Sequence, residues 1–299
     1  MSIFVSVASY SDPELKQTIQ SAIDNSCNPE ALHFGIFEQS QEPTEVKSSQ
    51  SLITNQWVHQ SEAKGAGWAR SMVQKQYDQE EYFLQIDAHS IFVQDWDRKL
   101  YEWKDRIPFN KSIISGWPMP YSYVNDEIVL DRHSDVEWSC QEPHWTQAVR
   151  FGRSWVGARR PLNEEDYHWS EIGLGGLWFC KGSFIEEVPY DPRIPWHSEE
   201  FLLSLRAFDA GWEIYGVNET FIYHNYVRGG NPRIWDGKKG RWNNMQKQSI
   251  GIQADMINLK DTSKFRLRNP QRLEEWMFRS KNKRITSESW NMARRAGVR

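Results

Sequence analysis

Along the chain, short apolar runs alternate with stretches whose apolar residues recur at helical spacing. Residues 3–8 and 32–37 are compact apolar runs of the kind that form strands buried on both faces. Between them Leu15, Ile19, Ala22 and Ile23 recur at helical spacing. Asp12-Pro13-Glu14 supplies the entry to that helix, with Asp12 as N-cap, Pro13 at the first helical position and Glu14 in the first turn. Asn28-Pro29 ends it, and residues 38–52 read as a polar surface loop. An extended piece from Val58 leads to Gly65-Ala66-Gly67, which opens a helix reaching about Tyr77. Further strands are predicted at 82–87, 111–116, 172–180, 213–217 and 221–224. Helices are predicted from Asp95-Trp96, from Lys181, from Ser198 to Ala210 with Gly211 closing it, and across 241–258 and 269–296. The pattern implies one mixed α/β domain over residues 1–240, with a loop-rich insertion at 121–170 and a basic helical extension at 241–299.

The stretch with the clearest chemistry is Tyr82-Phe83-Leu84-Gln85-Ile86-Asp87-Ala88-His89. A buried strand here runs into an acid and, two residues on, a histidine. In an open α/β sheet, ligands sit beyond the carboxyl ends of strands. On a continuing strand Asp87 and His89 point to the same side, so a carboxylate oxygen and an imidazole nitrogen can reach one divalent cation. The plainer alternative is an Asp that caps the next turn and a His that packs locally. Two other signals are weaker. Gly65 and Gly67 before a helix let a phosphate approach backbone N–H groups, although the Lys-Ser/Thr of a P-loop is missing, and Arg70 on the first turn can pair with a diphosphate or with a surface acid. Gly175 and Gly176 leave no side chains in the way of a ligand lying against the backbone. Glu199 and Glu200 fall in the first turn of a helix, where they complement its dipole or serve a pocket.

Composition adds three points. Apolar residues are 39% and charged residues 25% of the 299, which suits a globular protein, and no apolar run approaches the roughly 20 residues of a membrane helix. Cys27, Cys140 and Cys180 are scattered and match no zinc spacing. With no signal-peptide pattern at the N-terminus, they point to a reducing, cytoplasmic setting. Sixteen Trp residues are many, and Trp117, Trp138, Trp145, Trp155, Trp169, Trp178 and Trp196 stand in polar surroundings, where they can stack on sugar or base faces or pack loops together. Residues 264–299 carry a net of +8 against −4 for the whole chain. Such an end binds nucleic acid or docks on its own acidic body.

Several of these segments together resemble a known family. They are residues 3–15, the Ala69-Arg70 pair, Leu84-Gln85-Ile86-Asp87-Ala88-His89, Gly175-Gly176-Leu177, Glu199-Glu200 ahead of Leu205-Arg206 and Gly211, and His224-Asn225-Tyr226-Val227-Arg228. In order and spacing they are similar to the glycosyltransferases typified by cytosolic hydroxyproline N-acetylglucosaminyltransferases and, more distantly, to polypeptide N-acetylgalactosaminyltransferases. The resemblance implies a GT-A fold with a mixed, mostly parallel central sheet. It also implies a UDP-linked or similar nucleotide-sugar donor, Mn²⁺ or Mg²⁺ as cofactor, and a retaining transfer of GlcNAc or a related sugar. It places the metal at Asp87, His89 and His224, with Ala88 where the family carries serine. It puts Ala8, Ser9 and Tyr10 at the nucleotide, Arg70 and Arg228 at the diphosphate, Gly175 and Gly176 at the donor sugar, and Glu199 or Glu200 in the catalytic pocket. His197-Ser198 stands where the family often has two glycines, so the sugar is not carried over. The acceptor expectation is a hydroxyl on a protein or glycan, no membrane being involved. A viral-type enzyme glycosylating a hydroxylated DNA base is one alternative, and a non-catalytic sugar-nucleotide-binding module is another. The latter is disfavoured because Asp87, His89, Glu199, Glu200 and His224 are all present.

Overall fold

The structure is a computed structural model that describes residues 1–130, 167–196, 198–227, 232–236 and 239–279. Twelve strands are described: β1 (Ile3–Tyr10), β2 (Leu32–Ser40), β3 (Leu52–His59), β4 (Tyr82–Asp87), β5 (Ser90–Phe92), β6 (Ser112–Ser115), β7 (Met119–Val124), β8 (Glu127–Leu130), β9 (Tyr167–Ser170), β10 (Leu177–Lys181), β11 (Glu213–Val217) and β12 (Ile222–Asn225). The helices are α1 (Leu15–Asp24), α2 (Ala66–Val73), α3 (Trp96–Arg106), α4 (Phe184–Glu187), α5 (Glu199–Asp209), α6 (Lys239–Ile257) and α7 (Pro270–Arg279).

Eight strands form one sheet in the order β3-β2-β1-β4-β10-β6-β11-β9. The β3-β2-β1-β4 half is parallel throughout; β10 runs antiparallel to both neighbours, and β6–β11 is parallel again. The sheet is therefore mixed and mostly parallel, as expected. Its apolar strands are buried on both faces. Ile3, Val5, Val7, Leu84 and Ile86 pack with α1 and α3, while Phe4, Phe83 and Trp178 pack with α2 and α5 on the other side. A smaller sheet, β5-β12-β7-β8, stands at the carboxyl end of β4. His224 on β12 lies opposite Ser90, the residue after His89.

The expectation of a loop across 38–52 holds only in part. β2 runs on to Ser40 and β3 begins at Leu52. The β3 edge strand has no buried residue, and its apolar residues Leu52, Ile53, Trp57 and Val58 fall in adjacent pairs, so it lacks the alternation that marks a half-buried strand. The predicted helix from Gly65 ends as an α-helix at Val73 and continues as a 3₁₀ turn over Gln74–Gln76. Neither Asp95 nor Ser198 caps its helix: both take left-handed backbone angles, and the Asp95 carboxylate pairs with Arg98 instead. At the other end of α5, Gly211 closes the helix at φ 87°, with Trp212 N–H donating to the Ala207 carbonyl at 2.9 Å.

The C-terminal extension shares a core with the sheet domain. Met256, Ile257, Phe265, Leu267, Leu273 and Trp276 pack on Ile172, Phe201, Leu202, Leu205 and Phe208. Arg272 donates to the Phe208 carbonyl and Arg279 pairs with Glu213, so these two basic residues dock on the body. Most of the 121–170 insertion lies outside the described residues, as do Trp138, Cys140, Trp145, Trp155, His197, Arg228 and the part of the expected C-terminal helix beyond 279. Trp178 is a core residue at 1% exposure, whereas Trp196 is 42% exposed. No helix among the described residues is long and apolar enough to cross a membrane.

Candidate active site

The carboxyl ends of β1, β2 and β4 meet at one level: Ala8 pairs with Asp87, and Tyr10 with Gln39. A cleft of about 340 Å³ opens there. Its walls include Ala8, Ser9 and Tyr10 from β1, Arg70 from α2, Asp87 and His89 from the turn after β4, and His224 from β12. Tyr226, Arg233 and Trp235 close the far side.

Asp87, His89 and His224 each offer one ligand atom, and these atoms all lie within 4.8 Å of one another. β4 stops at Asp87, so a bend, not a continuing strand, brings His89 back beside it. Thr18 of α1 locks that bend: its hydroxyl donates to the Ala88 carbonyl and accepts from Ser90 N–H, both at 2.9 Å. Ala88 turns its methyl into the core at 1% exposure, which leaves only the acid and the imidazole facing the cleft. His224 arrives from the small sheet, its Nε2 3.2 Å from Asp87 Oδ2 and its ring 4.4 Å from that of His89. Asn225 N–H donates to the His89 carbonyl at 3.1 Å and ties the two strands together behind the cluster.

Burial alone would push the Asp87 carboxyl up. The hydrogen bond from His224, the Arg70 charge and the two imidazoles outweigh burial and hold it well below the usual carboxylate range. An ionised carboxylate with two imidazoles is a donor set that divalent first-row ions accept, so these residues fit a cation of the Mn²⁺ class.

Behind Asp87 lies an ionic network. Arg70 is 5% exposed, not at the surface. It donates through Nη2 to Asp87 Oδ1 at 2.9 Å and to the Gly175 carbonyl at 3.2 Å, and through Nη1 to Glu199 Oε1 at 2.8 Å. Glu200 Oε1 accepts from Gly175 N–H at 2.6 Å. Burial first, and the neighbouring Glu199 charge second, push the Glu200 carboxyl up to about 7. Glu199 and Glu200 therefore stand behind Arg70 and Gly175, and neither is among the residues lining the cleft. The space over Gly175 is taken by Arg70: a Cβ there would lie 2.5 Å from Nη1. Over Gly176 the nearest atom would be Asp87 Oδ2 at 3.4 Å.

Gly65 and Gly67 have a packing role that the sequence did not suggest. A Cβ on Gly65 would meet the Pro195 carbonyl at 2.2 Å, and one on Gly67 the Ile194 carbonyl at 2.1 Å. Gly67 N–H donates to Pro195, so that amide is spent on the protein. Sequence reasoning also missed two acids at the start of α1. Asp12 accepts from Glu14 N–H through Oδ1, as expected of a helix entry, but its Oδ2 accepts from His89 Nδ1 at 2.8 Å. The Glu14 carboxylate is buried and accepts from Asn225 Nδ2 at 2.7 Å and from the hydroxyl of Tyr121. Their only sequence signal was the motif Asp12-Pro13-Glu14, which reports on the local turn and not on partners far along the chain.

A mixed sheet with a cleft over the carboxyl ends of its parallel strands, and an Asp-His-His cluster at its floor, defines a GT-A glycosyltransferase. A family model described as Glycosyltransferase (GlcNAc) matches residues 2–58 and 45–288, and the chain belongs to that family. Among solved structures it is similar to GalNAc-T7 with UDP, GalNAc and Mn²⁺, at a TM-score of 0.59 and 14% identity. That alignment covers 96% of this chain but 56% of the GalNAc-T7 chain. It is also similar to S. aureus TarS 1-349 in complex with UDP-GlcNAc, at a TM-score of 0.50 and 11% identity, covering 98% of this chain and 79% of that one. At such identities the likeness establishes the fold. No curated protein sequence matches the chain.

Proposed function

We propose that the protein is a metal-dependent, retaining glycosyltransferase that moves GlcNAc or a similar sugar from a UDP-linked donor to a hydroxyl of a protein or glycan. The observation that carries this reading is the convergence of Asp87, His89 and His224 on the floor of the cleft beside Ala8, Ser9 and Tyr10. The two compared structures support it, since one was solved with UDP, GalNAc and Mn²⁺ and the other with UDP-GlcNAc.

In this reading Ala8, Ser9 and Tyr10 border the nucleotide, and the sugar lies toward Gly175 and Gly176. Asp87, His89 and His224 hold Mn²⁺ or Mg²⁺. Such a cation supplies neutralisation of the diphosphate charge as the leaving group departs. Arg70 acts from behind Asp87, keeping it ionised and adding positive charge to the floor. Arg233 contributes from the cleft wall, and Arg228 keeps the diphosphate role that the family resemblance implies. Glu199 fixes Arg70. Glu200 fixes Gly175 through its backbone N–H from behind the cleft wall. Tyr226, Ile234 and Trp235 line the cleft, where their apolar surface would limit water beside the donor.

The test is a screen of nucleotide sugars for Mn²⁺-dependent turnover, followed by NMR of the product's anomeric proton. An α-linked product from an α-linked UDP-sugar is expected. Turnover unaffected by chelation, or an inverted product, would sink the metal or the stereochemical part respectively.

A further inference from the structure

The His89 imidazole has two nitrogens, and the fold uses them differently. Nδ1 sits 2.8 Å from Asp12 Oδ2, with Asp12 5% exposed and His89 8% exposed. A carboxylate can only accept, so Nδ1 must carry the proton. A neutral imidazole protonated on Nδ1 presents a lone pair on Nε2, the nitrogen left for the cluster with Asp87 and His224. The backbone holds Asp12 in place independently of His89: its Oδ1 accepts from Glu14 N–H at 3.0 Å at the entry of α1. The Thr18 hydroxyl, one turn further along α1, grips the Ala88 carbonyl and Ser90 N–H. Helix α1 and the turn that leads into it therefore hold both the backbone of the bend and the ring that projects from it.

We propose that Asp12 is a positioning residue of the metal site: its carboxylate selects the Nδ1–H form of His89 and aims Nε2 at the cation. This rests on the metal reading above. It adds to that reading a residue outside the ligand set, 77 positions from its partner. Carboxylate partners of this kind fix the orientation and the basicity of a ligating imidazole.

The experiment compares the full-length chain with Asp12→Asn and Asp12→Ser by two readouts at fixed pH. One is the tautomer of His89 in the metal-free protein, from long-range ¹H–¹⁵N correlations with ¹⁵N-histidine labelling. The other is Mn²⁺ affinity, measured by EPR of the free ion. Asn can keep the helix-entry bond through its carbonyl oxygen, and its amide then faces His89 as a donor. That forces the proton onto Nε2, where it blocks the ligand position. Expected are Nδ1–H in the unsubstituted chain, Nε2–H in Asp12→Asn, and Mn²⁺ binding weakened by roughly 10–100-fold in that variant. Asp12→Ser keeps a capping oxygen but removes the carboxylate. It is expected to show mixed tautomers and an intermediate affinity, and it serves if Asp12→Asn does not fold. An Nε2–H form in the unsubstituted chain would overturn the proposal. So would a tautomer change without loss of Mn²⁺ affinity, or unchanged tautomer and affinity in both variants. Failure of the unsubstituted chain to bind Mn²⁺, with the Nδ1–H form confirmed, would instead overturn the metal reading on which the proposal stands.

Discussion

Arg70 and Glu199 meet across 129 positions of sequence, Nη1 to Oε1 at 2.8 Å, with both side chains less than a tenth exposed. The same guanidinium holds Asp87, so one buried cation serves two acids from different elements. Breaking a buried pair leaves an uncompensated charge, which costs about 3–5 kcal/mol. Arg70→Met should destabilise the protein by that order in urea unfolding. Arg70→Met combined with Glu199→Leu should recover part of the loss, because the orphaned acid goes with its partner. Simple additivity of the two substitutions would show that the pair is not coupled.

Under the proposed function, chelation of divalent cations should silence transfer. A chelator is expected to abolish transfer and Mn²⁺ to restore it. Asp87→Ala should lower kcat/KM by at least about a hundredfold, or about 2.7 kcal/mol in the barrier. Chelator titration of turnover on UDP-GlcNAc checks this, and full activity in Asp87→Ala would refute it.

The adjacent glycines should respond differently to one methyl group. At Gly175 a Cβ meets the Arg70 guanidinium at 2.5 Å, too close to tolerate, while at Gly176 the nearest atom stands at an ordinary 3.4 Å. Gly175→Ala should therefore displace Arg70, loosen its bonds to Asp87 and Glu199, and cost roughly 1–3 kcal/mol. Gly176→Ala should cost less than about 1 kcal/mol. Thermal unfolding of the two variants side by side gives the comparison, and equal losses would count against it.

The Glu200 carboxyl gives a pH signature. Its pKa is raised from 4.5 to about 7 in the fold, so across that window the folded state binds more protons than the unfolded one. Stability from this group is then greatest below the window and declines as pH rises through it. Glu200→Gln cannot ionise and can still accept from Gly175 N–H. Its melting temperature relative to the unsubstituted protein should rise from near pH 4.5 to above about pH 7, a relative gain on the order of 1–3 kcal/mol. A flat difference across the range would show that Glu200 is not the group responsible.

What the sequence made legible follows from how local each signal is. β4 was readable because five consecutive residues are buried, and the clustering of Asp87, His89 and His224 was readable because chemistry, order and the family resemblance agreed. β3 was hidden because an exposed edge strand needs no apolar alternation. Asp12 was read as the N-cap of the first helix, but α1 begins at Leu15 with Glu14 at the cap; one Asp12 oxygen accepts from Glu14 N–H in the turn before the helix, and its second oxygen answers to His89, which no local pattern announces. Gly65 and Gly67 looked like a phosphate approach, yet the carbonyls of Ile194 and Pro195 claim their open space. Ser198 stands just before α5 as expected, but it does so at φ 72°, with its hydroxyl bonded to Gln253 of α6. In each case the neighbour that decides the role arrives from a distant part of the chain.

The bond between Glu14 and Asn225 spans 211 positions, and the Asp87–His224 contact spans 137. On a ribosome, the parallel strands at the front of the chain can pair long before β12 emerges, whereas the Asp87, His89 and His224 cluster lacks its third member until it does. Under the proposed function, ion affinity would therefore be acquired late and not by early intermediates. A divalent ion would act as a seal on completed folding, stabilising only molecules in which the first helix and the last strand of the small sheet have found each other.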